Sequence, residues 1–274
     1  MRFFKYHGTG NDFILIDNRT DVIKEEEKGR LATKLCDRHF GVGGDGIIFV
    51  EPSTRGDAKM RIFNPDGSEA EICGNGIRCV GLYLYETGMK KERLLIETVA
   101  GLKEIGLTIE GESVAYVTVD MGAPKDVALS KRLEIDGKVI EYSFVDMGVP
   151  HVVIFVEDID VVDVEKTAPA IRFNPLFPKG TNVNFVQKIN KKVFKIRTYE
   201  RGVEKETLAC GTGITASGAA SVFLGHAEES EEMKFQAKGG RVFVMLKREN
   251  SEVRMFMRGS AEFVFEGEVP INFK

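Results

Sequence analysis

The sequence predicts an α+β fold (α/β in family usage) made of two pseudo-symmetric domains, each a curved, mostly antiparallel sheet wrapped around one central helix. Three observations predict it. The chain has 274 residues, nearly twice the ~150 of a common domain. The tetrapeptide Cys73-Gly74-Asn75-Gly76 returns half a chain later as Cys210-Gly211-Thr212-Gly213. Between and around these two turns the polarity alternates as in strands, and it switches to a helical period after each of them.

Taken in order, the first half opens with Gly8-Thr9-Gly10-Asn11-Asp12-Phe13 and an apolar run, and the second half has a similar segment at Gly180-Thr181-Asn182-Val183-Asn184-Phe185. An amphipathic helix is expected over 25–37. A strand with a Gly turn precedes each cysteine: Met60 to Gly67, and Phe194 to Gly202. After Cys73, apolar Ile77, Val80 and Leu84 recur at helical spacing until Gly88; after Cys210, Ala216, Ala219, Ala220 and Phe223 do so until Gly225. Both cysteines are therefore placed at helix N-termini. The second of these helices is rich in Ala, Ser and Gly, as suits a helix closely enclosed by sheet. A further amphipathic helix is expected over 158–170, and strands over 114–119, 152–156, 192–199, 241–246, 253–257 and 262–265. Turns are marked by Asp136-Gly137, Arg258-Gly259 and Glu266-Gly267. The expected division is 1–119 and 120–262, with the tail 263–274 returning to the first domain.

Composition narrows the class of function. Hydrophobic residues make up 43% and charged residues 29%, ordinary for a globular chain. The formal net charge of −4 argues against a nucleic-acid surface over the whole protein and for a small polar ligand. Four cysteines, at 36, 73, 79 and 210, are too few for a disulfide framework. With no apolar leader and no long apolar stretch, a reducing, cytoplasmic location is expected, with no membrane partner.

A cysteine at a helix N-terminus sits where free N–H groups and the helix dipole favour an anion, which lowers its pKa from ~8.5 toward neutrality. The flanking glycines let backbone approach a ligand, and the same N–H groups suit a substrate carboxylate. One such cysteine suggests a nucleophile. Two, in duplicated halves facing each other across a cleft, suggest a thiolate and a thiol on opposite faces of one carbon. That arrangement suits racemisation or epimerisation by two bases, and its logic requires no metal or organic cofactor. Cys36 and Cys79 read instead as small buried hydrophobes. Zinc spacing is missing, and Gly8 to Gly10 and Gly41 to Gly46 read as tight turns, since neither matches a phosphate-loop pattern.

Taken together, His7 to Phe13, Gly41 to Gly46, Phe63 to Ser68, Cys73 to Cys79, Gly180 to Phe185, Tyr199 to Gly202 and Ala209 to Gly213 resemble the diaminopimelate epimerase family. The resemblance implies an enzyme independent of pyridoxal phosphate. Such an enzyme inverts one stereocentre of LL-2,6-diaminoheptanedioate to give the meso form, in the supply of lysine and peptidoglycan precursors. It implies Cys73 and Cys210 as the acid/base pair. Asn11, Asn64, Asn182, Glu200 and Arg201 fall at the family's substrate contacts, while Gly74, Asn75, Gly211 and Thr212 form the turns around the reacting carboxylate. His151 and Glu200 fall at positions that tune the two thiols. The family often forms homodimers.

One departure stands out. Where the family usually reads Gly-Asn-Pro-His, this chain has Gly148-Val149-Pro150-His151. An Asn that contacts the distal end of the substrate is thereby lost, which should weaken discrimination there. Three other readings stay open at this point: a broader amino-acid racemase on the same two-cysteine scaffold, a non-catalytic small-molecule binder, and a thiol redox protein.

Overall fold

The computed structural model describes residues 1–270 except 21, 136 and 251. The expected turn residue Asp136 and the last four residues of the returning tail lie outside the described residues. The chain divides into one unit of Met1–Val119 with the segment from Gly259 onward, and a second of Asp120–Arg258.

In the first unit, β1 (Arg2–Gly8) and β2 (Asn11–Asp17) form a hairpin. Its two loop residues, Thr9 and Gly10, both have positive φ, of 57° and 82°. Two successive left-handed residues make the turn whose twist matches paired strands. Helix α1 (Glu25–Leu35) then crosses over so that β3 (Gly46–Glu51) lies parallel to β2. Strand β4 (Ala58–Phe63) returns antiparallel and carries the short β5 (Glu69–Ala70). Helix α2 (Gly74–Glu86) is the second crossover, placing β6 (Arg93–Thr98) parallel to β4; β7 (Gly101–Glu110) and β8 (Ser113–Gly122) follow as antiparallel neighbours.

The second unit repeats this plan. Strands β9 (Asp126–Ile135) and β10 (Lys138–Asp146) pair antiparallel, and β11 (Pro150–Phe155) follows β10 in the same sense. Helix α3 (Val164–Arg172) makes the first crossover to a parallel β12 (Asn182–Asn190). Strand β13 (Val193–Glu200) returns with its short companion β14 (Lys205–Thr207). Helix α4 (Gly211–Phe223) is the second crossover, to β15 (Met233–Ala237) parallel to β13, with β16 (Gly240–Glu249) antiparallel beyond it and β17 (Glu252–Gly259) next in the chain. Strand β18 (Glu262–Glu268) adds to β1 in the first unit as β9 adds to β10 in the second.

Each sheet has two covered faces. In the first unit, Ile14, Ile16, Ile47 and Phe49 pack with Leu31, Ala32 and Leu35 of α1. The alternate residue Ile48 points instead at Gly76 of α2, as period-two alternation requires. In the second unit, Val152, Ile154, Val183 and Phe185 pack with Val164, Ala168 and Ile171 of α3. Helix α2 is buried from Gly74 to Tyr85 and α4 from Gly211 to Ser221 except Thr212. A helix apolar or small-residued on all sides is one that sheet surrounds.

Two sequence expectations change. The helix expected over 158–170 begins only at Val164, with Asp163 accepting from the Lys166 N–H at 3.1 Å. Ahead of it, the Asp158 carboxylate accepts from the Asp160 N–H at 2.9 Å, a local turn that competes with helix. The second change concerns the repeat. The Asn11 and Asn182 segments open β2 and β12, which are not equivalent strands: the counterpart of β2 is β11, and that of β12 is β3. Glycine turns leading into apolar strands look alike wherever they occur, and that produced the match. The paired segments ahead of the cysteines, and the two CGxG turns themselves, do fall on equivalent elements, β4 with β13 and α2 with α4.

Candidate active site

Cys73 is the N-cap of α2, with φ −133° and ψ 118°. Extended backbone at this position turns its side chain back over the first helical turn, where the Gly76 N–H donates to Sγ at 3.5 Å. The thiol in turn donates to Asn11 Oδ1 at 3.7 Å, and Asn75 Nδ2 donates to the same oxygen at 3.2 Å. The β1–β2 hairpin thus delivers Asn11 to the start of α2. The approach is close: a Cβ on Gly8 would stand 2.8 Å from the Asn75 carbonyl oxygen.

Arg78, one turn into α2, has no exposed surface. Its guanidinium donates to Thr9 Oγ1 at 2.7 Å, to the Gly74 carbonyl at 3.3 Å and to the Ser260 carbonyl at 3.1 Å. Hairpin, helix start and returning tail are tied together by one side chain. The other face of Asn11 meets an ionic chain. Asn11 Nδ2 donates to Asp45 Oδ2 at 2.8 Å, Arg38 bridges Asp45 and Asp12 at 2.7 and 2.6 Å, and buried Lys5 reaches Asp12 at 2.6 Å. Burial pushes the Asp12 carboxyl up, but hydrogen bonds from Arg38 and Lys5 outweigh it and bring its pKa down to about 2. Asn64, in the turn between β4 and β5, donates to Ser68 Oγ at 3.0 Å.

In the second unit, Cys210 is likewise the N-cap of its helix, with φ −111° and ψ 110°. It is 6% exposed and its Sγ lies 3.5 Å from Thr212 Oγ1. Asn182 Oδ1 accepts from the Arg201 N–H at 2.8 Å, so those two expected residues are brought together. The Arg201 guanidinium donates to the Lys179 carbonyl at 2.9 Å, and Glu200 accepts from the Thr207 hydroxyl; the neighbours Glu200 and Arg201 each have partners elsewhere. His151 is fully buried on β11 beside Asn182. Burial, with the Arg201 charge adding to it, lowers its pKa from 6.5 to about 3, so the ring is neutral. Its Nε2 has no hydrogen-bond partner among the described residues.

Sequence reasoning missed Asn184. It is sealed from solvent, donates to the Val152 carbonyl at 2.9 Å, accepts from Thr198 Oγ1 at 3.0 Å, and lies 3.3 Å from His151 Nδ1. A Cβ on Gly213 would stand 2.3 Å from its Oδ1, so only glycine fits at that point of the first turn of α4. Arg78 and Asp45 were also missed as individual residues. Each lies inside a glycine-rich motif, but only burial and partners distinguish them from their neighbours. Cys36 and Cys79 are buried, and burial pushes their thiols up to about 11 and about 12.

Two N-cap cysteines thus lie on equivalent helices of a duplicated α+β plan. The fold is that of a Bacillus anthracis phenazine biosynthesis protein of the PhzF family (TM-score 0.79, 21% identity, 99% of each chain). A probable proline racemase from Agrobacterium radiobacter shares it too (TM-score 0.75, 17% identity, 99% of this chain and 93% of that one). The family model described as diaminopimelate epimerase matches residues 3–127 and 143–264. The diaminopimelate epimerase of Pelotomaculum thermopropionicum is 44% identical over 98% of this chain and 99% of its own. That of Archaeoglobus fulgidus is 44% identical over 99% and 97%. The chain belongs to the diaminopimelate epimerase family.

Proposed function

We propose that this chain inverts one α-carbon of LL-2,6-diaminoheptanedioate to give the meso isomer, with Cys73 and Cys210 as the two bases. One cysteine, as thiolate, takes the α-proton and becomes a thiol; the other, as thiol, delivers its proton to the opposite face of the resulting carbanion and becomes a thiolate. Protons balance, and the roles exchange in the reverse direction. The observation that carries this reading is the recurrence of a cysteine with extended backbone at the N-cap, Cys73 and Cys210, on equivalent helices of two units with the same plan.

The first-turn backbone of each helix, Gly74 and Asn75 in one and Gly211 and Thr212 in the other, offers N–H groups to the reacting carboxylate, whose negative charge grows as the α-proton leaves. Asn11, Asn64, Asn182, Glu200 and Arg201 hold the substrate's ammonium and carboxylate groups, Arg201 through its forked donor. His151 and Glu200 tune the thiols. A neutral His151 whose Nδ1 faces the Asn184 amide N–H carries its proton on Nε2 and is able to donate a hydrogen bond there without adding a charge. The two units act as the two epimerase domains, and no cofactor takes part. The enzyme serves lysine and peptidoglycan precursor synthesis in the cytoplasm and works as a homodimer; no helix among the described residues is long and apolar enough to cross a membrane.

Val149 supports a second reading, a broader-specificity amino-acid racemase. It removes a polar group where the family's Asn contacts the distal end of the substrate. A chiral product assay over LL-diaminopimelate, lysine, glutamate and proline separates the two. Turnover confined to diaminopimelate supports the first reading; comparable kcat/KM on a monocarboxylic substrate overturns it in favour of the second.

A further inference from the structure

We infer that Glu204, paired with Arg172, is a positioning residue for Arg201. It fixes the turn that carries Arg201 and neutralises the neighbouring guanidinium, so that Arg201 is the arginine presented to a substrate carboxylate. This rests on the reading of Arg201 as a substrate contact and adds the two residues that hold it.

Arg201 lies in the turn 201–204 that joins β13 to β14. The turn closes through the Glu204 N–H, which donates to the Glu200 carbonyl at 2.8 Å. It contains two left-handed residues, Gly202 with φ 89° and Glu204 with φ 56°. Glycine adopts that conformation freely, whereas a glutamate there is held against its own preference by what surrounds it. The carboxylate of Glu204 supplies the holding contacts. Its Oε1 accepts from the Gly202 N–H at 2.8 Å inside the turn, and from Arg172 Nε and Nη2 at 3.1 and 2.7 Å outside it. Arg172 is the last residue of α3, so the turn is tied to a helix end. The Arg172 side chain is only 15% exposed, where an ion pair is screened less than on open surface.

A second tie lies at the other end of the turn, where the Arg201 N–H donates to Asn182 Oδ1 at 2.8 Å. Between the two ties the arginines come side by side. A Cβ on Gly180 would collide with Arg172 Nη1 and stand 3.3 Å from Arg201 Cδ, so both side chains lie over the same glycine. The protein supplies a carboxylate to one of them, Glu204 to Arg172. The Arg201 guanidinium meets the uncharged Lys179 carbonyl at 2.9 Å, and among the described residues no carboxylate pairs with it. Glu204 thus occupies one fork and leaves the charge of the other for a carboxylate of the substrate.

The test is steady-state turnover of LL-diaminopimelate by the full chain, with kcat and KM read separately. Glu204→Asn tolerates the left-handed conformation but is uncharged and too short to hold Arg172; Arg172→Met removes the other partner. Each is expected to raise KM roughly tenfold, with kcat falling by a smaller factor, as when a binding group loses its position. Coupling to Arg201 is the readout that a merely structural role would not move. Arg201→Met raises KM by itself, and Glu204→Asn added to it is expected to raise KM no further, because the side chain that Glu204 positions is gone. KM unmoved in both Glu204→Asn and Arg172→Met, with the variants folded by circular dichroism, overturns the inference. So does a Glu204→Asn effect equally large with and without Arg201. Failure of the underlying reading is seen separately, as an Arg201→Met variant with the parent KM or an unsubstituted enzyme that exchanges no α-proton; either result removes the inference with it.

Discussion

Buried Arg78 donates to the buried Thr9 Oγ1 at 2.7 Å, joining the second helix of the first unit to its opening hairpin. The same guanidinium holds the Gly74 and Ser260 carbonyls, so Cys73 is flanked by two segments that depend on one side chain. Arg78→Met keeps the length and loses these bonds. The expected cost is about 3 kcal/mol of stability, because the acceptors left behind are buried. A fall in kcat is expected as the Asn11 hairpin shifts against α2. Urea unfolding with parallel kinetics checks both.

Asn184 plays the corresponding part in the second unit. Asn184→Leu leaves the Val152 carbonyl and the Thr198 hydroxyl without their partner, an expected loss of about 2–3 kcal/mol. Gly213→Ala drives a methyl into Asn184 Oδ1 and displaces the start of α4, lowering kcat by about 10²-fold with a smaller change in unfolding midpoint. Equal losses of stability and activity in Gly213→Ala would contradict a local effect.

His151 makes stability depend on pH in a definite direction. Its pKa, lowered to about 3 by burial and the Arg201 charge, lies below the 6.5 of an unfolded histidine. Between those values the unfolded chain binds the extra proton. The stability is therefore complete above pH 6.5 and is lost as the pH falls, by at most about 1.4 kcal/mol per unit from this residue. His151→Gln removes that slope. Denaturant midpoints at pH 7.5 and pH 5 should fall further in the parent than in the variant; parallel falls would show that His151 is not the cause.

Cys36 and Cys79 should be dispensable for chemistry. Cys36→Ala and Cys79→Ala are expected to retain kcat within about threefold while losing about 1 kcal/mol each from the vacated volume. Stopped assays on the two variants, beside thermal unfolding, test this.

The duplicated plan and its two cysteines were legible because a helix start with N-cap cysteine and close glycines leaves a local signature, and it appears twice. The pairing of Asn11 with Asn182 was misleading for the same reason: local turn chemistry carries no information about which strand of a sheet it precedes. Asn184, Asp45 and Arg78 were hidden by a different cause. Their importance lies in what they touch across strands and crossovers, and a polar residue in an apolar run reads alike whether it is buried and bonded or solvated.

The central claim is that two thiols move one proton off and another onto the same α-carbon. The most direct measurement is incubation with LL-diaminopimelate in deuterated water, with isotope and stereochemistry read on the same product. The unsubstituted enzyme is predicted to give the meso isomer carrying deuterium at the inverted carbon, and Cys73→Ala and Cys210→Ala each to slow this by about 10³-fold or more. Inversion at the parent rate in either variant, or a parent enzyme that leaves the α-proton in place, would contradict it.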